Sequence, residues 1–138
     1  MICLETSFLV DYRNGEPYTA AFLNRDPQRR EELAVPVPVQ FELYFGAVIS
    51  SSETIADVAA AIDWLDVVPF DESAAEEASQ IKATLRDSGE PIGPLDTLIA
   101  GTARSRSAPL VTRDSDFEKV PDLEIIDPEN EWSQGTNL

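Results

Sequence analysis

The 138-residue chain has no histidine, a single cysteine and only two lysines, Lys82 and Lys119. Without histidine it lacks the usual general base, the usual partner of a Ser or Cys nucleophile, and the commonest metal ligand. Ser-His-Asp catalysis, Cys-His catalysis and ordinary zinc chemistry are thereby excluded. The lone Cys3 makes no internal disulfide and lies in an apolar stretch, where a small thiol packs as a hydrophobe. No apolar run approaches the roughly 18 residues of a membrane span, and the N-terminal MICLETSFLV lacks the basic flank of a signal peptide. The expectation is a soluble, cytoplasmic protein with no membrane partner. There is also no Gly-rich phosphate loop, no internal repeat and no low-complexity segment.

Acid is what the chain has in excess: 26 Asp and Glu against 10 Lys and Arg, a formal charge of −16. Hydrolytic chemistry in such a chain runs on carboxylates, and carboxylates alone favour hard cations such as magnesium or manganese. The charge argues at first sight against a nucleic-acid substrate, because phosphates are normally bound by Lys and Arg. Yet the acids are spread along the whole chain, as in proteins from salt-accumulating halophiles, where the Debye length falls to about 3 Å at 1 M salt. The rival reading, an acidic mimic of nucleic acid or a binder of a basic partner, is better served by carboxylates gathered on one face.

Along the chain, ICLE reads as a strand, followed by a helix through Phe8, Leu9 and Val10 that Thr6 or Ser7 caps and Gly15 stops. Pro17 begins a second helix with Tyr18, Ala21 and Phe22 on one face and Arg25, Arg29 and Arg30 on its polar side. Those arginines line an RNA path or face solvent, and solvent is preferred. Leu33 to Val37 is a short β-branched run that Pro36 makes a brief or an edge strand. Pro38 opens a helix carrying Phe41, Tyr44, Phe45 and Val48, and Ile55, Val58, Ala59, Ile62 and Leu65 mark an amphipathic one. A strand at Val67 to Phe70 precedes a helix with a Ser73–Glu76 capping box, burying Ala74, Ala78, Ile81 and Leu85 and ending near Gly89. Leu95 to Arg104 is helical, and Pro109 to Thr112 and Leu123 to Ile126 are strands. Alternating strands and helices predict an α/β fold, three layers in α/β/α order around a mainly parallel sheet. One domain spans residues 1–127, and residues 128–138 form a polar, frayed tail.

Ligand sites in open parallel sheets lie beyond the carboxyl ends of the strands. That rule selects Glu5 at the end of the first strand, Asp114 after the strand holding Leu110 and Val111, Asp96 in the first turn of its helix, and Glu42 one turn into its own. Glu42 and Asp96 are acids among apolar neighbours, and a divalent cation would remove the cost of burying them. Each has an ordinary explanation as well: Asp96 suits a helix N-terminus, Asp114 a turn, and Glu42 an arginine partner.

With these acids placed, the sequence resembles the PIN domain family, and within it the VapC-type toxins of toxin-antitoxin pairs. The resemblance runs through MICLETSFLVDY, FELYFGA, PLDTLIAGTA and LVTRDSDF, with Thr-Arg-Asp-x-Asp-Phe its most specific piece. It implies a magnesium- or manganese-dependent endoribonuclease that hydrolyses phosphodiesters with metal-activated water. It also implies a homodimer silenced by a cognate antitoxin protein. Carried over by position, Glu42, Asp96, Asp114 and Asp116 are metal-site acids, and the Thr112 hydroxyl supports them. Glu5 stands where the family has aspartate, the one clear departure. The expected catalytic acids are thus Glu5, Glu42, Asp96 and Asp114, and the expected metal ligands Glu5, Asp96, Asp114 and Asp116. Arg113 either holds a substrate phosphate or neutralises nearby acids.

Two alternatives stand beside this reading. One is a catalytically weakened PIN-like module that binds metal, RNA or antitoxin without turnover, an alternative that rests on Glu5. The other is a magnesium-dependent phosphotransfer enzyme, opposed by the missing Gly-rich loop and by neither lysine lying near these acids.

Overall fold

The computed structural model describes residues 1–130. Its five strands, β1 (Ile2–Leu4), β2 (Leu33–Pro36), β3 (Asp66–Val68), β4 (Leu110–Val111) and β5 (Ile125–Ile126), form one sheet in the order β3-β2-β1-β4-β5. Every pairing is parallel. Parallel neighbours need long crossovers, and helices supply most of them. They are α1 (Thr6–Arg13), α2 (Pro17–Arg25), α3 (Val37–Ser50), α4 (Ile55–Ala61), α5 (Glu72–Asp87) and α6 (Pro94–Ser105). The expected three-layer α/β/α arrangement is what results.

Because helices cover the sheet, its central strands are apolar without alternation. Cys3, Leu4, Leu33, Ala34, Val35, Leu110 and Val111 are all buried, and Phe8, Phe22, Ile81, Ile99 and Phe117 pack among them. Burial pushes the Cys3 thiol up to about 11, so it packs as an inert hydrophobe, as its surroundings in the sequence indicate.

Several local expectations are corrected. β2 is brief, four residues, but it is an inner strand and not an edge one, hydrogen-bonded to both β1 and β3; Pro36 is its last residue, where a missing N–H costs the ladder little. A 3-10 turn at Pro27–Glu32 follows α2, so Arg29 and Arg30 lie beyond that helix instead of on its polar side. Arg29 stacks over Phe22, its guanidinium 5.0 Å from the ring, and Arg30 donates to Asn24 Oδ1 at 3.2 Å. Helix α5 is capped by Asp71, which accepts from the Ala74 amide at 2.9 Å, and the Ser73–Glu76 box does not form. A capping box does form at Thr54 and Asp57, at the head of α4. That helix ends at Ala61, and Ile62 and Leu65 are buried from the turn after it. At the far end, the amides of Glu129 and Asn130 donate to Asp127 Oδ1, which ties down the start of the expected tail. The remainder of that tail, residues 131–138, lies outside the described residues.

No described helix is long and apolar enough to cross a membrane. Helix α3 buries Pro38, Val39, Leu43 and Ala47 but turns Phe41, Phe45, Val48 and Ile49 outward, each more than half exposed. The Phe41 and Phe45 rings stack with 6.4 Å between centroids.

Candidate metal centre

Strand order decides where the acids meet. β1 lies between β2 and β4, so the chain leaves the sheet in opposite directions on its two sides and opens a crevice at the strands' carboxyl ends. Leu4 pairs with Val111, so Glu5 and Thr112 emerge side by side. From this edge β1 continues into α1, β2 into α3, and β4 into the loop that carries Asp114 and Asp116. Asp96 enters from the first turn of α6.

One carboxylate oxygen from each of Asp96, Asp114 and Asp116 falls in a group whose atoms all lie within 4.8 Å of one another. Three half-buried anions that close repel, and burial penalises each charge further. At Asp96 the carboxyl is pushed up to about 6, by burial first and then by Asp114, Glu5, Glu42 and Asp116. The α6 N-terminus favours a carboxylate at this position by only about 0.3–1 kcal/mol, so desolvation and like charges prevail. A donor set of oxygen atoms alone, crowded and short of counter-charge, fits a hard divalent cation.

The loop is held by its own hydrogen bonds. Asp114 Oδ1 accepts from the Asp116 amide at 2.9 Å, and Thr112 Oγ1 accepts from the Asp114 amide at 3.0 Å. The Thr112 hydroxyl in turn donates to Glu5 Oε1 at 2.7 Å. Phe117, fully buried, anchors the 3-10 turn Ser115–Lys119 that follows.

Glu5 and Glu42 occupy the same edge but face protein donors. Glu5 is buried, and it is the N-cap of α1 in place of the expected Thr6 or Ser7: it accepts from both the Ser7 amide and the Ser7 hydroxyl. Burial raises its carboxyl above the usual range, the Thr112 and Ser7 hydrogen bonds oppose this, and Asp114 adds to it. Glu42 is half-buried and accepts from Thr6 Oγ1 at 2.5 Å, not from an arginine. Of the four expected metal ligands, then, Asp96, Asp114 and Asp116 are brought together, and Glu5 stands outside their group.

Arg113 pairs with Asp11 Oδ2 at 3.3 Å and Glu129 Oε2 at 3.7 Å, and its guanidinium lies 5.0 Å from the centre of the Tyr18 ring. It is 44% exposed, and the acids it neutralises lie outside the cluster. Contrary to the expectation that neither lysine lies near these acids, Lys119 Nζ is 3.3 Å from Asp116 Oδ1. Thr6 and Ser7 act on the site in ways the sequence does not announce. A serine two residues after an acid is a weak signal, and Thr6 reaches Glu42 only because α1 packs on α3.

The PIN domain family model matches residues 2–123. Among curated proteins, the chain is 38% identical over 133 residues to the "tRNA(fMet)-specific endonuclease VapC" of Shigella flexneri, covering 94% of this chain and 96% of that protein. It is 31% identical over 125 residues to "Ribonuclease VapC19" of Mycobacterium tuberculosis, covering 90% and 98%. Among solved structures, DNA-bound VapBC from Salmonella typhimurium contains a chain matching at a TM-score of 0.79 with 28% identity, over 93% of this chain and 99% of that one. FitAcB from Neisseria gonorrhoeae shares the fold at a TM-score of 0.79 and 24% identity, over 94% and 99%.

Proposed function

The chain belongs to the PIN domain family, and we propose that it is a magnesium- or manganese-dependent endoribonuclease, the toxin of a toxin-antitoxin pair. The observation that carries this reading is the convergence of Asp96, Asp114 and Asp116 at the carboxyl end of the sheet. These three hold the ion, and Glu5 and Glu42 complete the acidic ring around it. When bound, a divalent ion supplies Lewis acidity toward a phosphodiester oxygen and an acidified water.

The chain's own residues do the rest. Asp116 and Asp114 are oriented by the loop hydrogen bonds, and Glu42 is fixed by the Thr6 hydroxyl at the ring's other side. Its carboxylate is available to hold a proton passing from an attacking water, a role the missing histidine leaves open. Arg113, next to Asp114 and partly exposed, is the proposed phosphate contact. The outward apolar face of α3 offers a seat for a protein partner, and a cognate antitoxin and a second copy are the partners proposed.

Its relatives make structured RNA the substrate to try first, with initiator tRNA as the first probe because the Shigella protein is named for it. The purified chain is expected to cleave that tRNA or a total RNA pool with Mn2+ and not with chelator. Asp96→Asn should lower the rate by at least about 10²-fold. Cleavage persisting in chelator would sink the metal reading. Metal binding without cleavage of any RNA would instead favour the non-catalytic module.

A further inference from the structure

Glu5 differs from the other acids of the ring in how its charge is spent. It is only 4% exposed, and both carboxylate oxygens are taken up by protein donors. Oε2 accepts the Ser7 amide, and Oε1 accepts the Ser7 hydroxyl at 3.1 Å and the Thr112 hydroxyl at 2.7 Å. Thr112, itself 2% exposed, passes the constraint on: its oxygen accepts the Asp114 amide, and Asp114 accepts the Asp116 amide. A continuous line of hydrogen bonds therefore runs from the head of α1, across the β1–β4 seam, into the loop that bears two of the three clustered aspartates.

We propose that Glu5 is a positioning residue: clamped between Ser7 and Thr112, its carboxylate fixes the loop presenting Asp114 and Asp116 and does not itself ligate the ion. The inference rests on the reading that those two and Asp96 hold a divalent metal. The length of the side chain is what makes this possible. One carboxylate must cap α1 through Ser7 and still reach Thr112 on the neighbouring strand, and removing a methylene withdraws it by on the order of 1 Å, more than a 2.7 Å hydrogen bond tolerates. For a positioning residue, then, reach matters more than charge. For a ligand the order is reversed.

Mn2+ affinity, measured on the full chain by calorimetry and by the electron paramagnetic resonance of free Mn2+, separates the two, with thermal melts recorded on each variant. Glu5→Gln keeps the reach and loses the charge; it is expected to weaken binding less than about threefold. Glu5→Asp keeps the charge and loses the reach; it and Thr112→Val are each expected to cost about tenfold, as losses of outer-shell partners do. Thr112→Ser, which retains the hydroxyl, should restore wild-type affinity, and the Glu5→Asp, Thr112→Val double variant should be no worse than either single one. Asp96→Asn, a loss in the cluster itself, sets the scale at 30-fold or more.

If Glu5→Gln binds as poorly as Asp96→Asn while Glu5→Asp binds well, Glu5 is a ligand and the proposal is wrong. It is equally wrong if the Glu5→Asp and Thr112→Val variants lower the melting temperature and leave Mn2+ affinity untouched. Absence of Mn2+ binding by the unaltered chain would overturn this inference together with the metal reading beneath it, whereas the first two results leave that reading standing.

Discussion

At Asp96, burial and neighbouring acids act on one carboxylate in the same direction, and their combined effect gives a testable pH dependence. Burial and four neighbouring acids hold its carboxyl up at about 6, against about 3.9 in an unfolded chain. Between these values the folded protein keeps a proton that the unfolded chain has released, so stability falls as pH rises from about 4 to 6 and stays reduced above it. A shift of that size, discounted for a group only half withdrawn from water, corresponds to about 1–2 kcal/mol. Without metal, Asp96→Asn is therefore expected to raise stability by that amount at pH 7.5 and by almost nothing at pH 4, as read by urea denaturation. Mn2+ should reverse the order at pH 7.5, stabilising the unaltered protein far more than the variant, because the ion relieves the repulsion that the substitution has already removed. A variant less stable than wild type in metal-free buffer at pH 7.5 would show that Asp96 is held by favourable contacts instead.

The close approach of α5 and α6 depends on Gly101, where an added Cβ would meet Ala78 Cβ at 2.6 Å, its nitrogen at 2.7 Å and its Cα at 2.8 Å. Two of those atoms are backbone, so the helices themselves would have to separate. Gly101→Ala is expected to cost about 1–3 kcal/mol in chemical denaturation, despite alanine's better helix propensity. Ala78→Gly should restore only part of that loss, since it removes one of the three contacts. Full restoration would place the strain in side chains alone. The same helices show which features a sequence discloses. Ala74, Ala78, Ile81 and Leu85 recur on one face of α5 and are buried as their spacing indicates. Glu5, Asp96 and Asp114 were legible because their strands and helix end at one edge of a parallel sheet, and that edge is set by element order. Features settled by tertiary contact were not legible. Pro36 suggests a brief or an edge strand; β2 is brief, yet β3 pairs beyond it. Thr6, Ser7 and Ser73 are better capping types than Glu5, yet the turn conformations select Glu5 and Asp71. Helical spacing grouped Phe41, Phe45 and Val48 on α3, but it could not say that this face would lie outside the core.

Over the whole molecule, a charge of −16 has to be reconciled with an anionic substrate. Many of the few cations are already engaged: Arg104 with Glu77 at 2.7 Å, Arg106 with Asp71 at 3.0 Å, Arg113 with Asp11, Lys119 with Asp116, and Arg13 with Glu53. Such surface pairs contribute about 0–1 kcal/mol each and leave little positive surface to draw in RNA. Association at low salt must then overcome repulsion between two polyanions, and the divalent ion proposed for the aspartate cluster would supply compensating charge there. Raising KCl shortens the Debye length from about 10 Å at 0.1 M to about 3 Å at 1 M, which weakens that repulsion and the protein's own. With free Mn2+ held constant, KM for RNA is expected to fall several-fold over this range and the melting temperature to rise. A nuclease that binds through a basic groove does the opposite, losing affinity steeply as salt displaces its phosphate contacts. A KM that climbs with KCl would therefore mean that some of these arginines leave their acidic partners for RNA. Arg113, exposed and paired over 3.3 Å and 3.7 Å, is the first to substitute in that event.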